Sequence, residues 1–269
     1  METIKVIVAA HLEYEMPKDH IYLPVFVGAA LQKERAAALS AKGYLADDSG
    51  ENISEKNGSY CELTGLYWAW QNLDADYLGL VHYRRHFKES HGGSKAILTE
   101  QELRSLLHRF RLIVPEKRHY YIESLYSHYE HTHYADHLKK AREMLRTKCP
   151  EYLPSYDCVM RRSWGYMFNM MIMERKLLNS YCSWLFPILF ELEKMIDTDG
   201  LTGYQSRYCG RVAEILFNVW MDNQILTGKI NQSEICEQPL VYLGRVNWVR
   251  KISSFLRAKF LHEKYESSF

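Results

Sequence analysis

Two histidines and two arginines crowd the segment His82-Tyr83-Arg84-Arg85-His86, directly behind the apolar run Leu78-Gly79-Leu80-Val81. A guanidinium offers a planar fork of donors that fits phosphate oxygens two at a time, and it keeps its charge near neutral pH. The pattern therefore points to an anionic ligand, a diphosphate before others. A short apolar run of this kind predicts a buried strand, and open α/β sheets place their ligands beyond the carboxyl ends of strands. The plainer alternative is that Arg84 and Arg85 pair with surface carboxylates past a core strand.

The elements that must position these residues are legible on both sides. Ile4 to Ala10 is β-rich and ends at His11, the pattern of a first buried strand feeding a loop. Tyr22 to Ala30 is a second apolar segment with Pro24 near its entry. The polar stretch from Asp47 to Asn57 opens into a helix over Tyr60 to Leu73, where Leu63, Leu66, Tyr67, Trp70 and Leu73 recur at helical spacing. A strand follows at 77–82. Thr99 and Glu102 form a capping-box pattern before a helix at about 100–109, and Leu112-Ile113-Val114 before Pro115 is another strand. Residues 135–148 read as helix and Tyr166 to Met173 as strand. Leu177 to Ile196 is a long amphipathic helix kinked near Pro187, and a further helix occupies about 205–222. Strands alternating with helices predict a mostly parallel sheet covered on both sides.

A chain of 269 residues, 47% hydrophobic, can bury a sizeable core. Its 34 basic and 33 acidic residues leave a net charge of +1, which argues against a nucleic-acid partner held by a broad cationic field. Six scattered cysteines suggest neither a zinc ribbon nor a disulfide framework. No signal pattern opens the chain and no apolar stretch reaches the roughly 18 residues that span a bilayer; the expectation is a cytoplasmic protein. The 20 tyrosines and 6 tryptophans supply amphipathic rings suited to stacking on sugars or bases, although most must serve packing. From Arg245 to Phe269 the chain carries six basic residues against two acidic ones, with Trp248, Ile252, Phe255, Leu256 and Phe260 at near-helical spacing. That composition suits a helix lying on the inner face of the cytoplasmic membrane, or equally a terminal helix packed on the core. The expected organisation is one domain over 1–244 and this basic tail over 245–269.

Three blocks carry a family resemblance. The first runs from Asp48 to Asn57 and on through Cys61-Glu62-Leu63-Thr64-Gly65-Leu66-Tyr67-Trp68-Ala69-Trp70; the second is Gly79 to Arg85; the third runs from Phe168-Asn169-Met170-Met171 through Tyr181 to Phe186 and on to Arg207, Gly210 and Glu214. With Ala9-Ala10-His11 and Tyr22 to Ala29, the likeness spans about residues 4–225. In these blocks the chain resembles an uncharacterised-domain family of bacterial capsule and exopolysaccharide gene clusters, some of whose members are glycosyltransferases, including galactofuranosyltransferases. One departure is Ile215, where the family pattern carries an arginine after the glutamate; it weakens any ion-pair or catalytic role for that helix.

The resemblance implies a GT-A-like fold, a single Rossmann-type domain with a helical C-terminal portion. It also implies a nucleotide-diphosphate-sugar donor, of UDP type, and a glycan acceptor, lipid-linked in that setting. Folds of this kind commonly hold a divalent metal, manganese or magnesium, on an Asp-x-Asp motif after a central strand. Here Asp74-Ala75-Asp76 precedes the strand and reads as a helix-to-strand loop. Arg84 and Arg85 are then expected to stabilise the leaving diphosphate in place of a metal, so no metal ligand is assigned; a metal built from His82 and a distant carboxylate, or from His131 and His133, stays open. The nucleotide clamp falls to His11, Asp48, Asn52 and Asn57, and a sugar-hydroxyl contact to Glu62. Thr64, His82, Tyr83, His131, Asn169 and Arg207 are further substrate-binding positions. Asp136 and Glu214 are the catalytic carboxylate candidates. For most of these, capping or a structural ion pair is the competing role, and a non-catalytic nucleotide-sugar or carbohydrate-binding protein is the competing function.

Overall fold

Val6, Ile7, Val8, Val81 and Leu80 are wholly buried because the first and fourth strands lie side by side at the centre of a sheet covered on both faces. The computed structural model describes residues 2–243; the basic tail expected over 245–269 lies outside them. In chain order the elements are β1 (Ile4–Ala10), β2 (Tyr22–Phe26), α1 (Lys33–Ser40), β3 (Leu45–Ala46), α2 (Asn57–Tyr60), α3 (Leu63–Asn72), β4 (Tyr77–His82), β5 (Arg85–Phe87), α4 (Glu100–Leu107) and β6 (Leu112–Pro115). There follow β7 (Arg118–His119), α5 (Leu125–Thr132), α6 (Ala135–Lys148), α7 (Leu153–Arg161), β8 (Trp164–Gly165), β9 (Met171–Glu174), α8 (Arg175–Met195), α9 (Tyr208–Leu226), β10 (Ile235–Gln238) and β11 (Leu240–Tyr242).

The described residues form two compact units, the first comprising 2–116, Phe168–Ser183 and Ile230–Leu243, the second Lys117–Met167 and Trp184–Lys229. The first unit holds the sheet, in the order β10-β6-β9-β4-β1-β2-β3. Pairings β1–β2, β1–β4, β2–β3 and β6–β10 are parallel, as the alternation of elements requires. The exception is β9, inserted antiparallel between β4 and β6. Gly79 makes that insertion tight: a Cβ there would meet Ile172 Cγ1 at 2.7 Å and the Met171 carbonyl oxygen at 3.0 Å. β5 pairs antiparallel with the end of β4 and with β11.

Strand periodicity sorts the two faces. Val6, Val8 and Val81 pack with Leu103 and Leu107 of α4, whose N-terminus is capped as its sequence predicts, the Thr99 hydroxyl accepting from the Glu102 amide. On the opposite face α3 comes close enough to β1 and β2 that a Cβ on Gly65 would sit 2.9 Å from Val27 and 3.4 Å from Ile7. The segment expected as one strand over Tyr166 to Met173 is interrupted: Phe168 and Asn169 take left-handed backbone conformations, at φ 78° and 52°, and only Met171–Glu174 extends. Neither residue can continue a strand ladder in that conformation.

The second unit is helical apart from the short β7–β8 pairing. Within it, Asn218 of α9 accepts from the Tyr166 amide and donates to the Tyr166 carbonyl, both at 2.8 Å, a reciprocal clamp on buried backbone. All six cysteines are free. No helix among the described residues is long and apolar enough to cross a membrane.

Candidate functional site

The end of β4, the entry to α3 and the turn before β9 bring four of the expected residues together in the first unit. Asn169 Nδ2 donates to Glu62 Oε1 at 2.7 Å, and His82 Nε2 donates to the Phe168 carbonyl oxygen at 2.7 Å. The Arg85 guanidinium lies 4.4 Å from the centre of the Phe168 ring and 5.8 Å from that of Tyr242. Burial drives the His82 pKa below the ordinary histidine value, Arg85 pushes it the same way, and Glu62 opposes both. His82 is therefore a neutral donor at neutral pH, with its Nδ1 left as an acceptor.

Backbone strain concentrates at the same place. Phe168, Asn169 and Cys61 account for three of the four non-glycine residues with positive φ among those described, and Cys61 immediately precedes Glu62. Such conformations cost on the order of 1–3 kcal/mol each and persist where the surroundings over-determine them, as they do at functional sites. Arg85 adds a further signal. Its Nε is buried without a hydrogen-bond partner, and among the described residues Arg85 makes no ion pair. A buried, unpartnered cationic donor is costly unless something anionic completes it.

Arg84 is exposed beside the Tyr83 ring, at 5.8 Å. It lines a cavity of about 810 Å³ together with Tyr83, Lys18, Lys95 and the β1–β2 loop from Leu12 to Asp19. This cavity opens at the carboxyl ends of β1 and β4, where an open α/β sheet binds ligands. Its wall sets the cations Arg84, Lys18 and Lys95 beside the carboxylates Glu15 and Asp19, and it carries aromatic rings: Tyr14 meets Tyr83 edge to face with ring centres 5.9 Å apart. Tyr14 is itself fixed from behind, its amide donating to the Tyr44 hydroxyl and its own hydroxyl lying 3.4 Å from His86 Nε2. His86 is fully buried, and that burial pushes its pKa down to about 4.

The remaining residues expected in the clamp make local bonds. Asp48 pairs with Lys33 at 2.7 Å. Asn52 accepts from the Ser54 amide and donates to the Gly50 carbonyl, an Asx turn. Asn57 donates to the Cys61 carbonyl and to the Thr64 hydroxyl, so Thr64 is buried in the turn that starts α3. His11 is exposed just past β1. The neighbour that sequence reasoning passed over is Asp47, fully buried, whose carboxylate accepts from the Gly28 and Ala29 amides at 2.9 and 3.0 Å and from the Ser54 hydroxyl at 2.5 Å. It ties the loop after β2 to the segment before α2. The turn-rich composition around it hid that role.

Asp136, His131, Arg207 and Glu214 lie in the second unit. Asp136, in the first turn of α6, is exposed and pairs with Lys140 one turn on, at 2.7 Å. Arg207 lies 6.0 Å over the Tyr204 ring. Glu214 is partly buried on α9. His131 hydrogen-bonds Glu123 at 2.7 Å, and the second oxygen of Glu123 takes His128 at 2.8 Å. Glu123 was missed because nothing in its own neighbourhood marks it; its partners arrive one and two turns into α5. Burial alone would raise its carboxyl pKa, but the hydrogen bonds from the two imidazoles hold it below the usual carboxylate value.

The residues grouped past the end of β4 are not a donor set for a divalent ion. The residues past β4 are cations and a neutral imidazole already committed to a carbonyl, and Asp76, in the loop before β4, accepts from the Thr3 amide and hydroxyl at 2.7 and 2.9 Å. Among the described residues no three histidine, cysteine, aspartate or glutamate side chains are grouped so as to hold a metal ion.

Comparison with known proteins sets this geometry in context. A family model, the Domain of unknown function (DUF4422), matches residues 5–225. No curated protein gives a significant match. The apo structure of the bifunctional glycosyltransferase WbbM is similar to this chain, with a TM-score of 0.79 and 27% identity over 90% of this chain and 46% of that one. The chain thus spans just under half the length of that structure, and the likeness agrees with a GT-A-like arrangement of its sheet and helices. By a match that covers most of its length, the chain belongs to the DUF4422 family.

Proposed function

We propose that the chain is a glycosyltransferase that moves a hexosyl group from a UDP-type nucleotide sugar to a glycan acceptor. The observation that carries this reading is Arg85: a partly buried arginine whose Nε is buried and without a hydrogen-bond partner, just past the carboxyl end of a central strand and next to Arg84 at the wall of a cavity. The similarity to a bifunctional glycosyltransferase supports it. In the reaction the bond from the sugar's anomeric carbon to the β-phosphate oxygen breaks as an acceptor hydroxyl oxygen bonds to that carbon. The hydroxyl proton passes to a carboxylate base. Negative charge grows on the departing diphosphate, where preorganised donors lower the barrier most. Arg84 and Arg85 supply those donors, and Glu62 with Asn169 supplies a pair of polar groups for sugar hydroxyls. A galactofuranosyl donor, a lipid-linked acceptor, a role in capsule or exopolysaccharide synthesis and a place at the inner face of the cytoplasmic membrane complete the reading.

The test is a panel of UDP-hexoses, UDP-galactofuranose included, followed by melting temperature and by release of UDP. A ligand that binds the native state raises its melting point in proportion to occupancy, and transferases leak slow donor hydrolysis. The expected result is a rise in melting temperature with UDP and at least one donor, together with slow release of UDP from that donor. Stabilisation without hydrolysis or transfer would favour a binding protein; no stabilisation by any of them would overturn the reading.

A further inference from the structure

We infer that the second unit carries a docking turn for an anionic lipid surface, with Tyr121 and Ile122 at its tip and Lys117, His119 and Trp164 beside them. The Tyr120 amide donates to the Ser163 carbonyl at 2.7 Å and the Ile122 amide to the Tyr120 carbonyl at 2.6 Å, which closes a three-residue turn centred on Tyr121. Tyr121 takes φ 54° there, a conformation that a bulky residue reaches only at a cost. The strain yields no burial: Tyr121 and Ile122 are left 87% and 70% exposed, the two most exposed of the large hydrophobic residues described. An apolar pair held out in water on a strained, braced turn marks an interaction surface.

The residues beside the tip point to lipid. In the β7–β8 pairing His119 lies opposite Trp164, which puts their side chains on one face, and the His119 ring lies 6.1 Å from that of Tyr121. The Lys117 ammonium sits 4.7 Å from the centre of the Trp164 ring and the Arg162 guanidinium 4.8 Å from it, Arg162 also pairing with Asp222. A sugar platform needs an open ring face, whereas cations lie over this one. Aromatic rings with an exposed aliphatic neighbour and basic side chains laid along them are the composition of a membrane–water interface. Along this stretch Lys117 and Arg118 outnumber Glu116, and the next carboxylate, Glu123, is buried and hydrogen-bonded to His128 and His131, so the balance toward anionic headgroups is positive. Stable anchoring takes two signals, and the sequence from Arg245 to Phe269, with six basic residues against two acidic ones, is a second. That the lipid carries the acceptor rests on the transferase reading; adhesion to lipid does not.

The experiment floats the full chain on phosphatidylcholine vesicles with and without phosphatidylglycerol, and records UDP release from UDP-galactofuranose on the same samples. The wild type is expected to rise with the anionic vesicles and to bind neutral ones roughly fivefold more weakly. Tyr121→Gly combined with Ile122→Ser should need on the order of tenfold more lipid for half-binding, the loss of two inserted side chains. Its melting temperature should stay near that of the wild type, because glycine accepts the backbone of the turn. Lys117→Gln should weaken binding about fivefold on anionic vesicles and leave binding to neutral ones unchanged. No flotation of the wild type overturns the docking turn, as does equal flotation of the double variant, which would assign adhesion to residues 245–269. Dimers that sediment without lipid and are absent in the double variant would assign the tip to a second copy and overturn it too. Absence of flotation with UDP release kept counts against the turn alone, and absence of UDP release with flotation kept counts against the transferase reading alone.

Discussion

The Arg85 guanidinium stacks 4.4 Å from the centre of the Phe168 ring, and Phe168 holds a left-handed backbone that turns its carbonyl oxygen onto His82. The strained residue thus positions both a cation and an imidazole at the end of β4. Arg85→Ala is expected to lower turnover on the order of 100-fold, the usual loss for one preorganised donor to a developing anion. Stability should change little, by about 1 kcal/mol for the lost ring contact. Arg85→Lys should recover only part of the activity, because an ammonium keeps the charge but not the planar fork. Arg84→Ala, at the cavity wall, is expected to cost the same order in turnover. Wild-type turnover in both alanine variants would remove the leaving-group role.

Asn169 separates backbone from side chain. At φ 52° an alanine would be strained, by roughly 1–2 kcal/mol, whereas glycine accepts the conformation freely. Asn169→Ala should therefore melt lower than Asn169→Gly. Both remove the donor that holds Glu62, so both should raise the donor KM even though only one is unstable. An Asn169→Gly variant with unchanged KM would reduce this asparagine to a backbone device.

His86 predicts an acid limb in stability. Its pKa is about 4 in the fold against an ordinary value near 6.5, so between these the unfolded chain binds the extra proton and stability falls as pH falls. This contribution is complete above pH 6.5 and is lost as pH drops toward 4. By pH 5 about 2 kcal/mol of it has been lost. His86→Phe keeps a ring against Tyr14 and Tyr22 and removes the titration. Its denaturation free energy should decline less than that of the wild type between pH 7 and pH 5. Parallel declines would show that His86 is not the group responsible.

The core strands were legible because burial on both faces leaves an apolar run with no alternative use: Ile4–Ala10 and 77–82 match β1 and β4 end to end, and the helix at 135–148 matches α6. The antiparallel β9 was not, since direction of pairing is a long-range property and Met170 to Met173 reads the same either way. β10 and β11 escaped for the same reason, being short strands whose partners lie far away in sequence. Of the site, the cations after β4 announce themselves by type. Glu123 does not, because a carboxylate between two imidazoles is recognisable only after α5 has turned them toward it. Asp47 and Asp48 look interchangeable in a polar loop, and only burial tells them apart.

The cation set past β4 predicts independence from added metal. Donor hydrolysis after exhaustive treatment with EDTA is expected to remain within about twofold of the untreated rate, since the guanidiniums provide the electrostatic stabilisation that a divalent ion would otherwise supply. The check is UDP release with EDTA, then with manganese or magnesium restored. Complete loss on chelation with recovery on manganese would require ligands other than those grouped at this strand end.

The two adjacent aspartates give the last and sharpest contrast. Asp47 is fully buried and receives two backbone amides and the Ser54 hydroxyl, so truncation leaves three donors without an acceptor. One of those amides belongs to Gly28, where φ is 76° and a Cβ would strike Asn57 at 2.7 Å, so the loop has no slack with which to find other partners. Asp47→Ala is expected to cost about 3–5 kcal/mol, the range for breaking a buried charge-assisted network. Asp48 pairs with a lysine whose side chain is 70% exposed, and exposed pairs are worth roughly 0–1 kcal/mol, so Asp48→Ala should melt almost as the wild type does. Any effect of Asp48→Ala should then appear in the donor KM and not in the melting curve. Urea denaturation of both variants beside donor titrations decides the matter: equal destabilisation would show that the Asp47 cluster does not anchor the loop, and an unchanged KM in Asp48→Ala would take Asp48 out of the nucleotide clamp.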